Sequence, residues 1–101
     1  MKDNSKYLGI DFGLKRIGMA ISDTEKKYSF YRDYILNDNT TYNKIIELII
    51  NENVSKIIIG YPLNFKSEKK EITLSVEKFC EELKLLLQKK EKNVEIVFFD
   101  E

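Results

Sequence analysis

Val54-Ser55-Lys56-Ile57-Ile58-Ile59-Gly60-Tyr61-Pro62 is the stretch whose reading decides the fold. Side chains of a strand alternate between its faces, so three consecutive isoleucines place apolar groups on both. A strand buried on both sides reads as the central strand of an α/β sheet, often a parallel one. Gly60-Tyr61-Pro62 ends it, because proline cannot donate to the ladder.

Reading outward, Tyr42, Ile45, Ile46, Ile49 and Ile50 recur at helical spacing and predict a helix reaching about Asn53. The turn Asn37-Asp38-Asn39-Thr40 before it offers several N-cap residues. Past Pro62, Phe65 to Lys70 reads as a polar loop. The stripe Ile72, Val76, Phe79, Cys80, Leu83, Leu86, Leu87 then predicts a second helix, closed by Lys89-Lys90-Glu91-Lys92. Val94-Glu95-Ile96-Val97-Phe98-Phe99 is a last strand and delivers Asp100 and Glu101 at its tip. Toward the other end, residues 7–12 and 17–22 predict two strands joined by a short connection opening at Gly13, hence an antiparallel hairpin. Tyr28, Phe30, Tyr31 and Tyr34 favour a third strand near 28–36. The order β-β-β-α-β-α-β predicts a single α/β domain: a mixed five-stranded sheet with helices on its faces.

Composition narrows the chemistry. The chain has 101 residues, 43% of them hydrophobic, enough for a core and too few residues for a second domain. Lys+Arg and Asp+Glu are balanced at 17 each, so a polyanion would be held by a local basic cluster rather than by net charge. Histidine is absent and Cys80 is the one cysteine, which excludes Cys/His zinc sites, His-dependent triads and an intrachain disulfide. The polar start Met1-Lys2-Asp3-Asn4-Ser5 is not that of a signal peptide, and no run is long enough to span a bilayer. A cytoplasmic protein is expected.

Two acids stand at strand ends. Asp11 closes the first strand, with Gly13, Lys15 and Arg16 just beyond. A carboxylate there, beside a glycine that lets a ligand approach the backbone, suits a magnesium ion bound to phosphate oxygens. A solvated acid at a turn is the competing reading. Glu101 closes the last strand. If that strand runs parallel to the first, both acids reach the rim where α/β sheets bind ligands. Two such carboxylates repel unless a cation or proton lies between them. The competing reading of Glu101 is a frayed acidic terminus.

Residues 8–23, LGIDFGLKRIGMAISD, resemble the opening motif of the YqgF/RuvX family of ribonuclease H-like nucleases. Residues 57–64, IIIGYPLN, resemble its second signature, and the closing FFDE resembles the strand that carries its Asp-Glu pair. The resemblance implies a ribonuclease H-like fold and a metal-dependent nuclease, linked to processing of the 5′ end of precursor 16S rRNA and related to Holliday-junction resolvases. It implies Asp11 and Glu101 as catalytic, metal-binding carboxylates for Mg2+ or Mn2+. Gly13, Lys15 and Arg16 would lie beside the scissile phosphate of precursor rRNA or branched DNA. Asn64 would contact substrate or brace the site, unless it is merely a turn residue after Pro62. The Lys66-Ser67-Glu68-Lys69-Lys70 segment departs from the family, which usually has a glycine there. Its lysines are read as a solvated helix start, and Cys80 as packing.

Family members continue beyond the position of Glu101 into helices that carry a third acid, so the resemblance implies a domain incomplete at its C-terminal end. Without those helices, Val97 and Phe99 on one face of the last strand, or Val94, Ile96 and Phe98 on the other, would lack cover. A homodimer or larger assembly that shields the exposed face is expected. Two other functions compete with the nuclease. One is a non-catalytic module of the same fold that binds nucleic acid or protein. The other is an actin-like phosphotransferase, whose first phosphate loop Asp-Phe-Gly also resembles, although such enzymes close two domains around ATP.

Overall fold

Three antiparallel strands open the chain: β1 (Lys6–Asp11), β2 (Arg16–Ser22) and β3 (Ser29–Leu36). The structure, a computed structural model, describes residues 4–25, 29–61 and 67–100. α1 (Thr41–Asn51) leads to β4 (Val54–Tyr61), and α2 (Ser67–Lys89) leads to β5 (Glu95–Asp100). The sheet order is β3-β2-β1-β4-β5, with β1–β4 and β4–β5 parallel. The isoleucine run lies one strand from the expected centre and is paired in parallel on both sides; Ile57 and Ile59 are buried, while Ile58 on the opposite face is half-buried, so the expected burial on both faces is not realised.

Alternation sorts the strands into two faces. Leu8 and Ile10 of β1 stand opposite Ile21 and Met19 of β2, and opposite Ile57 and Ile59 of β4. All six are buried. They join Ile45, Ile46 and Ile49 of α1, and Val76, Phe79, Cys80, Leu83 and Leu87 of α2, in one cluster. Both helices thus cover the same face, which is how the expected helix-on-sheet layering is realised. Phe79 ties the helices together at one end: its ring lies 5.1 Å from that of Phe12 and 5.6 Å from that of Tyr42. Each fully buried aliphatic chain contributes about 1.5–3 kcal/mol of burial free energy.

Local chemistry sets the boundaries. Asp38 Oδ1 accepts hydrogen bonds from the Thr40 backbone N–H and hydroxyl at 2.8 and 2.6 Å. Buried Thr41 donates its hydroxyl to the Leu36 carbonyl and accepts from the Asp38 N–H. These bonds fix the β3–α1 corner, while Thr40 itself, at the cap position, makes no side-chain cap bond. α1 stops at Asn51, slightly short of the expected Asn53, because Asn53 turns to a φ of 53°. α2 begins at Ser67, inside the stretch expected to be loop. Glu68, Lys69 and Lys70 are good helix formers, but a polar first turn leaves no apolar periodicity to read. α2 ends in a Schellman turn. Lys92 N–H donates to the Leu87 carbonyl, Glu91 N–H donates to that of Gln88, and Glu91 takes a φ of 56°. Among the described residues no helix is long and apolar enough to cross a membrane.

Candidate functional site

The face away from the helices carries small residues at its middle. Gly9 of β1 stands between Ala20 of β2 and Ile58 of β4. One step on, Asp11 stands between Gly18 and Gly60. Gly60 in turn pairs with Phe99 of β5, and Gly18 with Tyr34 of β3. A single cross-strand row, Tyr34–Gly18–Asp11–Gly60–Phe99, therefore spans the sheet. Glycines inside strands leave room for a ligand or another chain to approach. Here they clear both flanks of the Asp11 carboxylate, which is exposed. A Cβ built on Gly18 would already come 3.6 Å from that of Asp11. The result is an open groove of about 310 Å³ with Asp11 in it, and Gly18, Gly60 and Phe99 among its walls.

The turn after Asp11 is held rigidly. Phe12 N–H donates to the Gly60 carbonyl at 3.4 Å, tying the end of β1 to β4. Gly13 is required by space: a Cβ there would lie 2.6 Å from the Arg16 carbonyl oxygen, a backbone atom that cannot swing away. From the β3–α1 corner, Asn37 Nδ2 donates to the Gly13 carbonyl at 2.9 Å, and the Asn37 N–H to the Lys15 carbonyl at 2.8 Å. Lys15 and Arg16 project into solvent beside this turn. The Arg16 guanidinium sits 5.2 Å from the centre of the Tyr34 ring, a cation–π contact that orients it.

Of the residues expected to form the site, Asp11, Gly13, Lys15 and Arg16 come together at the carboxyl end of β1. Glu101 and Asn64 lie outside the described residues, as does Lys66. Cys80 is buried in the core, where burial pushes its thiol above the usual range, as packing requires. β1 and β5 are both parallel to β4 and so to each other, and their carboxyl ends lie on one rim. β5 is described to Asp100, which pairs with Tyr61. Sequence reasoning missed Gly18, Gly60, Asn37 and the two ring-bearing ends of the row. The strand glycines were a usable signal.

A hard divalent cation takes carboxylate oxygens and retains several waters. Exposed Asp11, with a glycine on each side, fits one ligand position of such an ion. Among the described residues no three Asp, Glu, His or Cys side chains gather to complete it.

Known proteins resemble this chain in sequence and in fold. A relative from Sulfurihydrogenibium, described as "Putative pre-16S rRNA nuclease", is 42% identical over 97 residues, covering 96% of this chain and 65% of its own. One from Malacoplasma penetrans with the same description is 41% identical, covering 97% of this chain and 68% of its own. The chain thus spans about two thirds of the length of the curated relatives it matches. Among solved structures, Thermus thermophilus RuvC in complex with a Holliday junction substrate superposes with a TM-score of 0.68 over 95% of this chain and 64% of RuvC, at 9% identity. That likeness shows a shared ribonuclease H-like fold. The family model described as RuvX, Holliday junction resolvase, matches residues 5–101. The chain belongs to the RuvX family.

Proposed function

We propose that this chain carries the core of a metal-dependent nuclease that hydrolyses phosphodiester bonds, acting in the cytoplasm on the 5′ end of precursor 16S rRNA. The observation that carries the reading is the exposed Asp11 carboxylate, set between two glycines on the rim that β1 and β5 share. The names of its relatives support the substrate, and the complex of RuvC with a Holliday junction supports a nucleic-acid ligand.

In this reading Asp11 and Glu101 hold Mg2+ or Mn2+. The alternation of β5 supports that pairing, since Phe99, two residues before Glu101, shares the groove with Asp11. Strands β1 and β5 are separated by β4, roughly 10 Å apart at neighbouring-strand spacing. Gly60 between them has no side chain to obstruct two carboxylates reaching inward. When bound, the metal polarises the phosphoryl group and lowers the pKa of the attacking water. The chain's own groups position the substrate. Gly13 permits the tight turn that sets Lys15 and Arg16 beside the phosphate, these two offset its charge, and Asn64 contacts the strand or braces the loop. Arg16 does so from a fixed direction because Tyr34 holds it. A homodimer shielding the open face is part of the same proposal. It would occupy the groove, so substrate and second copy compete. Light scattering should show dimer dissociating as oligonucleotide is added, and a monomer at high concentration without nucleic acid contradicts it.

The alternative is a non-catalytic module of the same fold that binds nucleic acid or protein, and the balance of 17 Lys+Arg against 17 Asp+Glu favours it. The test is cleavage of a precursor-rRNA fragment and of a branched DNA in magnesium. The nuclease reading predicts cleavage by the full-length protein, lost in Asp11→Asn and in EDTA. Binding that persists in chelator with no cleavage of either substrate supports the module instead.

A further inference from the structure

The two ends of the cross-strand row are aromatic, and neither ring belongs to the core. Tyr34 is 49% exposed and Phe99 60%. Both lie on the open face, each two strands from Asp11, so roughly 10 Å to either side of it and about 19 Å from one another. Between them the row holds only glycine, aspartate and glycine. Exposed rings on a sheet face, here one to either side of a carboxylate, are groups on which unpaired bases can stack.

Charge points to the same occupant. The chain's net charge is zero, so long-range attraction to a polyanion is absent and affinity has to come from local contacts. At the Tyr34 end the local cation, Arg16, is already seated against the ring. The Tyr34 end of the row thus offers a guanidinium to a phosphate and a ring to the adjoining base. In a closed duplex the bases are stacked on one another and present only their edges. Their faces become available to a protein ring only when a strand is unpaired.

We propose that Tyr34 and Phe99 are base-stacking platforms on either side of Asp11, which make this face select an unpaired nucleic-acid strand over a closed duplex. The proposal deepens the nuclease reading and rests on it for the role of Asp11. The rings' own contribution is binding, which can be read separately.

The experiment measures fluorescence anisotropy of the full chain in EDTA with a labelled single strand of about twelve nucleotides, within the usual site size. The same strand closed into a blunt duplex, and a version with abasic positions, serve as comparisons. Both oligo-U and oligo-dT single strands should bind, because every base has a π face. Tyr34→Ala and Phe99→Ala should each weaken single-strand binding by roughly five- to a hundredfold. Tyr34→Phe and Phe99→Tyr, which keep a ring, should bind as the unaltered chain does. The abasic strand and the duplex should bind the unaltered chain about as weakly as the normal strand binds the alanine variants. Both residues are exposed, so circular dichroism should show all four variants folded. Alanine variants that bind normally, abasic strands or duplexes that bind as tightly as the single strand, or a self-dimer that persists at saturating oligonucleotide would each overturn the proposal. Loss of magnesium-dependent cleavage with ring-dependent binding intact counts only against the nuclease reading.

Discussion

The side-chain amide of Asn37 reaches back across the sheet's rim to the carbonyl of Gly13, 2.9 Å away. With its backbone N–H on the Lys15 carbonyl, Asn37 fixes the turn that carries Lys15 and Arg16 from both ends. Asn37→Ala should leave the fold intact and cost about 1 kcal/mol, the usual worth of one hydrogen bond. Asn37→Asp should be worse, because it sets a carboxylate against a carbonyl oxygen. Nucleic-acid binding should fall in both, with the loss greatest at low salt, where Lys15 and Arg16 contribute most. Urea melts and binding isotherms at two salt concentrations check this.

Gly18 lies beside Asp11 on the open face, and a Cβ there would meet the aspartate's Cβ at ordinary van der Waals distance, 3.6 Å. Gly18→Ala should therefore fold with a melting temperature close to that of the unaltered chain. Gly18→Val adds branches that crowd the carboxylate, and should reduce metal-dependent cleavage at least about tenfold, roughly 1.4 kcal/mol of lost transition-state stabilisation. Cleavage rates and thermal melts of the pair separate crowding of the site from damage to the fold.

Glu91 adopts a φ of 56° at the end of α2, a conformation that disfavours a side chain with a Cβ. Glu91→Gly should raise stability by about 0.5–1 kcal/mol, and so the melting temperature by several degrees for a domain of this size. Differential scanning calorimetry would show an unchanged or lower melting temperature if the turn is not strained.

Two groups set opposite pH dependences. Hydrogen bonds from the Thr40 hydroxyl and N–H hold the Asp38 carboxyl below its ordinary value of 3.8. Its contribution is therefore present above that value and lost as pH falls through the lower folded value. The stability difference between the unaltered chain and Asp38→Ala should shrink between pH 7 and strongly acid solution. Burial, by contrast, raises the Cys80 thiol above 9.0, so folding favours its neutral form. That stability is present below the unfolded value and lost as pH rises through the folded one. Cys80 should accordingly resist thiol reagents at pH 8 in the native chain and react promptly in urea. Rapid native labelling contradicts its placement in the core.

Much of the architecture was legible because the strands announce themselves by composition. The isoleucine run was readable as a strand with Pro62 marking its end, although its Ile58 face is the open one. Helix α1 was readable from Tyr42, Ile45, Ile46 and Ile49, while the start of α2 could be read as loop or as a solvated helix start, since Ser67–Lys70 carries no apolar stripe. Asp11 and the Gly13–Arg16 turn were recognisable as a unit because their positions are set by local sequence. The row through Tyr34, Gly18, Gly60 and Phe99 was hidden, because register between strands distant in sequence is a tertiary property. Phe99 then reads as a residue in need of cover, and Tyr34 as one strand-favouring aromatic among several. Only pairing reveals that both stand in line with the carboxylate.

If Asp11 holds a divalent cation in the groove between Gly18 and Gly60, paramagnetic broadening by that cation will locate it. With Mn2+ added at substoichiometric amounts, amide signals of Gly9, Asp11, Gly18 and Gly60 should broaden first, and Asp11→Asn should abolish that pattern while leaving the spectrum folded. Broadening centred elsewhere on the molecule, or unchanged in Asp11→Asn, would contradict the account.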